Sequence, residues 1–405
     1  MHVCTKGGDR DEKAVEQGSL PAGGSVLEGA EALGKGKPRP VVPEVKVLKE
    51  LNVAGPATRT EAAFDFFIQW HLTERCNLRC RHCYQTGEKK DELSLEEIRE
   101  VIEEAASLFH QWSEAYEIAF SPSFTVTGGE PFLREDLFEV LGEMRSRGFE
   151  IYLLSNGTLI DGEKARRLAD LGVRGVQVSL EGPSHIHEAI RGKGSFLRAM
   201  RRVENLLKQG LRTTLNATLS RLNAEGVPDL VALAGAVGVH RLGFSRLVPW
   251  GAGEALIGDM LEKERVAEIY RSLLSARVPG LEIVTGDPVA AQMDAHFSDE
   301  HGCTAFGGCA AGVSGLTLLS EGTVTPCRRL PVPLGNVRSD SLREIWASSP
   351  VLRDLREKDR YGGKCGRCQH WATCRGCRAI AYAYSAALGR ADYLSEDPQC
   401  FIEPR

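Results

Sequence analysis

The segment Cys76-Asn-Leu-Arg-Cys80-Arg-His-Cys83 puts three thiols on one short stretch, spaced C-x3-C-x2-C. Three thiolates so spaced can hold three irons of a [4Fe-4S] cube, and without a fourth cysteine one iron stays open to a substrate or cofactor. Other uses of cysteine fit less well. A structural zinc ion needs four ligands, usually as two C-x2-4-C pairs, and no fourth thiol lies close enough. Covalent haem attachment needs C-x-x-C-H, but Tyr84 follows Cys83. The chain opens MHVCTKGGDR with no charged-then-apolar leader, so a reducing, cytoplasmic location is expected and disulfides are not.

The 405 residues suffice for one large and one small domain, each with its own core. Fifty Lys and Arg stand against 55 Asp and Glu, a net charge of −5 that gives no case for nucleic acid as a partner. No apolar run approaches the roughly 18 residues of a membrane span, so no membrane partner is expected. Residues 1–63 contain no Phe, Trp or Tyr and are rich in Gly, Ala, Glu and Pro, which predicts a mobile, low-complexity extension. Within it, Val41–Asn52 could form a short strand or helix.

From Phe64 the pattern becomes alternating strand and helix. Apolar or β-branched runs at Phe66–Leu72, Phe124–Thr127, Glu150–Leu154, Gly175–Leu180, Arg212–Leu219 and Arg241–Leu247 predict strands, with helical periodicity between them. Ser94-Leu-Glu-Glu97 is a capping box ahead of Ile98, Val101, Ile102 and Ala105 at helical spacing. Repeated βα units imply an α/β fold with a parallel sheet, open or closed. The polar motifs fall after successive strands: the cysteine loop, Thr127-Gly-Gly-Glu-Pro131, Ser155-Asn-Gly-Thr158 and Ser179-Leu-Glu-Gly182. Carboxyl ends of parallel strands line the active-site mouth of βα barrels.

The cysteine loop ending in an aromatic residue, followed by Gly128-Gly129-Glu130-Pro131, resembles the radical S-adenosylmethionine (radical SAM) enzymes. The resemblance implies a partial (β/α)6 TIM-type barrel and a cluster on Cys76, Cys80 and Cys83 whose open iron chelates the methionine half of SAM. It also implies SAM contacts from Tyr84 and from the Gly-Gly-Glu-Pro strand end, with Glu130 accepting from the ammonium. Glycines admit close backbone approach, and a carboxylate is the natural partner of an ammonium. Ser155 and Asn156 are either turn formers or SAM contacts. Ser179 and Glu181 resemble the family's pair near the ribose and carboxylate, and Arg191 resembles an arginine that approaches the SAM carboxylate. His185 and His187 read as structural.

Eight cysteines crowd the last quarter: Cys303, Cys309, Cys327, Cys365, Cys368, Cys374, Cys377 and Cys400. Eight thiolates satisfy two fully ligated [4Fe-4S] clusters. Cys365-x2-Cys368 with Cys374-x2-Cys377 would alternatively make a zinc tetrathiolate. The order of these cysteines, with Leu334-Gly-Asn-Val337 and Leu342-Arg-Glu-Ile-Trp346, resembles the SPASM extension of radical SAM enzymes, although the last spacing is x2 where x3 is usual. The resemblance implies that Cys303, Cys309, Cys327 and Cys377 hold one auxiliary cluster and Cys365, Cys368, Cys374 and Cys400 the other. A β-hairpin is predicted from Gly315–Leu319 and Thr323–Pro326 around Ser320-Glu-Gly322. The expected organisation is an extension over 1–63, a barrel over 64–300 and a small cysteine-rich SPASM domain over 301–405.

The implied activity is that of a radical SAM oxidoreductase or maturase with three clusters. Its substrate would be a ribosomally made peptide or protein side chain, the choice that family frequency favours, or alternatively a tetrapyrrole side chain. An iron–sulfur carrier without catalysis would need the cysteines but not Gly-Gly-Glu-Pro. Arg328 directly after Cys327 argues against sulfatase maturation, whose members carry an acid there. The implied partners are an electron donor such as ferredoxin or flavodoxin and, for a peptide substrate, a separate leader-binding protein.

Overall fold

A computed structural model describes residues 64–88, 90–293 and 308–402. Residues 1–63, with Val41–Asn52, and Cys303 lie outside them. The first half alternates strand and helix: β1 (Phe64–His71), α1 (Leu95–Tyr116), β2 (Phe120–Thr127), α2 (Leu137–Ser146), β3 (Glu150–Ser155), α3 (Gly162–Asp170), β4 (Gly175–Ser179), α4 (Ser184–Arg191), α5 (Ser195–Lys208), β5 (Thr213–Leu219), α6 (Val227–Val237), β6 (Arg241–Arg246), α7 (Lys263–Ser275) and β7 (Glu282–Val284). The cysteine-rich half adds β8 (Gly315–Leu318), β9 (Thr323–Thr325), β10 (Gly335–Asn336), α8 (Leu342–Ser348), α9 (Pro350–Arg356), α10 (Gly363–Arg367) and α11 (Arg378–Ala387).

Strands β1 to β7 pair in sequence order, all parallel, with helical crossovers between them. Among the described residues β7 does not pair with β1, so the sheet is a partial barrel. The predicted helix starts as its sequence dictates: Ser94 accepts from the Glu97 amide, Glu97 caps back, and Ile98, Val101, Ile102 and Ala105 are buried. Strand β2 begins earlier than its apolar run, at Phe120, and contains Pro122. A proline is tolerated there because β3 joins only from Ser123 onward, which leaves that flank of β2 unpaired.

The predicted hairpin is present, β8 against β9 antiparallel. Its partner is not foreseeable from periodicity: β8 pairs parallel with β1, Phe67 opposite Gly315 through Trp70 opposite Leu318. A side chain at position 315 would meet the Phe67 ring at 2.7 Å, so glycine lets the strands meet with that ring in place. The ten strands therefore form one continuous sheet, with the cysteine-rich half covering the edge of β1. One core runs through both halves, joining Phe66, Ile68 and Trp70 to Leu316, Leu318, Val324, Ile345 and Leu352. Trp346 of α8 packs edge-on against Phe66 at 5.0 Å.

Candidate active site

The loops after β1 to β6 surround a cavity of about 690 Å³, a size typical of ligand sites. Cys76, Cys80 and Cys83 lie along it, and each is tied to a different loop. Near Cys76, the Asn156 amide donates to its sulfur at 3.8 Å and to Asn77 at 2.8 Å, while Thr158 closes the triangle by accepting from Asn77. Beside Cys80, an Nη of Arg191 approaches the sulfur at 3.6 Å. The Gly253 amide donates to the Cys83 carbonyl at 3.0 Å. Gly251, at φ 63°, lies against Tyr84 so closely that a Cβ would meet the Tyr84 carbonyl at 2.5 Å. These braces after β6 left no recognisable sequence signal beyond the two glycines.

Burial pushes all three thiols above the ordinary cysteine range. The Leu78 amide and Asn156 at Cys76, and Arg191 at Cys80 and Cys83, oppose that rise. Metal ligation requires thiolates, and these donors are placed to stabilise them. The donor set thus fits a three-cysteine iron–sulfur cluster. Among the described residues no three Cys, His, Asp or Glu side chains converge on a single metal ion.

Of the ten side chains expected to contact SAM, Tyr84, Gly128, Gly129, Ser155, Asn156, Ser179 and Arg191 line the cavity. Glu130, Pro131 and Glu181 do not line it and are buried behind residues that do. Glu130 is 0% exposed and already engaged: its carboxylate accepts from Ser155 Oγ at 2.8 and 3.0 Å, from the Asn156 amide at 2.8 Å and from the Phe132 amide at 3.4 Å. It clamps the loop after β2 to the loop after β3. Pro131 is buried at the start of the single 3-10 turn that follows. The carboxylate that faces the cavity is Glu74, held by Gln85 Nε2 at 2.7 Å. The glycines also have a structural reason: a Cβ on Gly129 would sit 2.3 Å from the Arg75 carbonyl, and one on Gly128 2.4 Å from that of Thr73. They let the β2 end hydrogen-bond onto the cysteine loop, Gly129 to Thr73 at 2.7 Å and Glu130 to Arg75 at 2.8 Å.

Glu181, 1% exposed, accepts from Arg191 Nε at 2.8 Å and from the Thr218 amide of β5 at 2.8 Å. Burial alone would raise its pKa, but Arg191 holds it below the ordinary carboxylate value. Burial pulls His82 down to about 4, so its ring is neutral and accepts from Arg191 at 3.3 Å. The 3.5 Å approach of His82 to Glu181 is therefore not an ion pair.

Desolvation lifts Glu130 from 4.5 to about 7. Between those values the native carboxyl keeps a proton that the unfolded chain has lost, so its contribution to stability falls as pH rises through the window and levels off above about 7. Glu130→Gln, uncharged throughout, should lack this loss. Its melting temperature relative to wild type is expected to rise between about pH 5 and about pH 8, by an amount equivalent to about 1–3 kcal/mol. Parallel curves across that range would contradict the assignment.

The cysteine-rich half presents its thiols in an ordered frame. Arg375 and Gly376, both left-handed at φ 63° and 59°, turn the chain so that the Gly376 amide donates to Cys374 Sγ at 3.4 Å. Arg378 Nη2 donates to Cys365 Sγ at 3.5 Å, and the Cys377 amide donates to Asp397 at 2.8 Å. Burial pushes Cys377 up to about 12, opposed by Arg329 and reinforced by Asp287 and Cys309. Cys400 is raised by burial with a contribution from Cys365. Arg246 of β6, 0% exposed, uses all five N–H donors here: two on Asp287 at 2.8 and 2.9 Å, two on Asp397 at 2.7 and 2.9 Å and one on Gln399 at 3.2 Å.

Comparison with known proteins agrees with this geometry. The Radical SAM superfamily profile matches residues 70–234, and the SPASM profile, an iron–sulfur cluster-binding domain, matches residues 309–378. An AdoMet-dependent heme synthase from Methanosarcina barkeri is 32% identical over 352 residues, spanning 83% of this chain and 96% of that protein. The chain belongs to the radical SAM enzymes. This radical SAM/SPASM enzyme is also 30% identical over 349 residues to the mycofactocin maturase MftC of Mycolicibacterium smegmatis, covering 82% of each. In fold it matches SuiB of Streptococcus suis bound to S-adenosylmethionine with a TM-score of 0.64 at 16% identity, over 84% of this chain and 78% of that one. Among the described residues no helix is long and apolar enough to cross a membrane.

Proposed function

We propose that this radical SAM enzyme holds a [4Fe-4S] cluster on Cys76, Cys80 and Cys83, binds SAM in the adjoining cavity and modifies a tetrapyrrole side chain. The observation that carries the first part is the convergence of three thiols on one cavity, each supported by a different βα loop. The chemistry such a cluster supplies when bound is one-electron cleavage of the SAM sulfonium to methionine and a 5′-deoxyadenosyl radical able to take a hydrogen atom from substrate. The chain's own part is to hold the thiolates, through Arg191 and the Asn156 amide, and to shape the SAM site, through the Gly128-Gly129 backbone, Ser155, Ser179 and Tyr84. Glu130 and Glu181 keep those elements in register from behind.

We assign the remaining cysteines to two auxiliary clusters, Cys303, Cys309, Cys327 and Cys377 to one and Cys365, Cys368, Cys374 and Cys400 to the other. Cys309 acts on Cys377, Arg329 interacts with both Cys327 and Cys377, and Cys365 acts on Cys400, which supports that division. Residues 64–300 then form the barrel and 301–405 the auxiliary-cluster region.

Family frequency favours a peptide substrate, but the match to the heme synthase over nearly its whole length, 96%, supports a tetrapyrrole instead. The mycofactocin maturase supports peptide modification as a second reading, with a leader-binding partner. In either case a ferredoxin or flavodoxin would supply electrons. The test is to incubate the anaerobically reconstituted, reduced protein with SAM and Fe-coproporphyrin III, then follow deoxyadenosine and porphyrin mass. A porphyrin of altered mass formed together with deoxyadenosine is the expected result. Deoxyadenosine beside unaltered porphyrin would reject the tetrapyrrole assignment.

A further inference from the structure

The cavity has a second chemical character beside Tyr84. Where the chain after β6 meets Tyr84, its lining is apolar, Val248, Ala252, Ala255 and Leu256, and two adjacent arginines, Arg328 and Arg329, line the same space. Arg328 lies 5.7 Å from the Tyr84 ring centroid and, among the described residues, makes no hydrogen bond or ion pair. The charged or ionisable groups that act on it are Tyr84, Arg329 and Cys327, none of them a carboxylate. Arg329 donates one Nη to the Arg246 carbonyl at 3.2 Å, and its Nε is buried with no acceptor. Arg329 is offset by Cys377, Cys327 and Asp287, whereas Arg328 has no carboxylate beside it, and a half-buried guanidinium without an acid is costly unless an anion completes it.

We propose that Arg328, with Arg329, forms a carboxylate-binding subsite for the substrate of the radical reaction. The apolar wall beside the pair fits a substrate with a flat or apolar body that carries its acid at the edge, and a planar guanidinium matches a carboxylate with two parallel hydrogen bonds. Position separates this anion from the carboxylate of SAM. In the SAM assignment of this cavity the carboxylate of SAM falls to Arg191 beside Cys80, whereas Arg328 stands between Tyr84, itself a SAM contact, and Cys327. A molecule bound there lies between the radical-generating triad and the auxiliary cysteines, where a substrate that must lose an electron belongs. The proposal rests on the SAM-dependent assignment of this cavity. It adds the class of substrate, an acid, whether that acid is a tetrapyrrole side chain or the end of a peptide.

The reconstituted full-length protein tests it by binding alone. Wild type, Arg328→Gln and Arg328→Lys are titrated with SAM, with coproporphyrin III and its tetramethyl ester, and with a decapeptide bearing a free carboxyl end and its amide counterpart. Arg328→Gln is expected to weaken one acid probe by about 10- to 150-fold while leaving its neutral counterpart, SAM affinity and iron content unchanged. Arg328→Lys should recover part of that loss. Which pair responds identifies the source of the acid. Equal loss of SAM affinity in Arg328→Gln would reassign the residue to SAM, and acid and neutral probes alike insensitive to the substitution would overturn the subsite. Failure of wild type itself to bind SAM would strike the underlying assignment instead.

Discussion

Anaerobic reconstitution with iron and sulfide is expected to load about twelve irons on the wild-type chain, and about eight on a variant with Cys76, Cys80 and Cys83 all changed to Ala. That variant should form no deoxyadenosine. The three thiols share one loop, and their bracing partners Asn156, Arg191 and Gly253 belong to the barrel, so the folded frame should survive their loss. Eleven cysteines remain for three clusters once Cys4 in the N-terminal segment is set aside. Stoichiometric zinc with iron near four in the wild type would instead assign Cys365, Cys368, Cys374 and Cys377 to a tetrathiolate zinc site.

Arg246→Ala is expected to be the most destabilising single change outside the cysteines. Its guanidinium joins β6 to Asp287 and to the segment carrying Cys400, and removal leaves two buried carboxylates without their cation. Breaking such a buried pair costs about 3–5 kcal/mol, a large part of the stability of an ordinary domain. Because Asp397 also holds the Cys377 amide, the variant should lose iron from the cysteine-rich half as well. Denaturant unfolding with parallel iron analysis reads both effects. A loss under about 1 kcal/mol with full iron content would show that the network is not what secures this half.

The barrel was legible because each of its first six strands is a local apolar run bounded by turn residues, and the cysteine spacing announced the cluster loop directly. What escaped depended on distant partners. Strand β7 has only three residues at the sheet edge, too few for a periodic signal. The docking of β8 on β1 joins residues some 250 apart in sequence, and its only sequence trace is the glycine at 315. A carboxylate at position 130 suits an ammonium, but its hydrogen bonds to Ser155 and Asn156 come from the next loop and leave no local trace. Arg246 sits in a strand that looks ordinary, and its acids come from Asp287 and Asp397 far downstream. In the sequence Arg328 stands out only as a basic residue directly after Cys327. That no carboxylate stands beside it depends on the folded cavity, not on its neighbours in sequence.

The most direct measurement of the central claim is single-turnover cleavage of SAM by the reconstituted, reduced protein, with methionine and 5′-deoxyadenosine quantified together. The account predicts that both form in equal amounts in wild type, and that neither forms when Cys76, Cys80 and Cys83 are replaced. SAM left intact by wild-type protein carrying its full iron complement would contradict it.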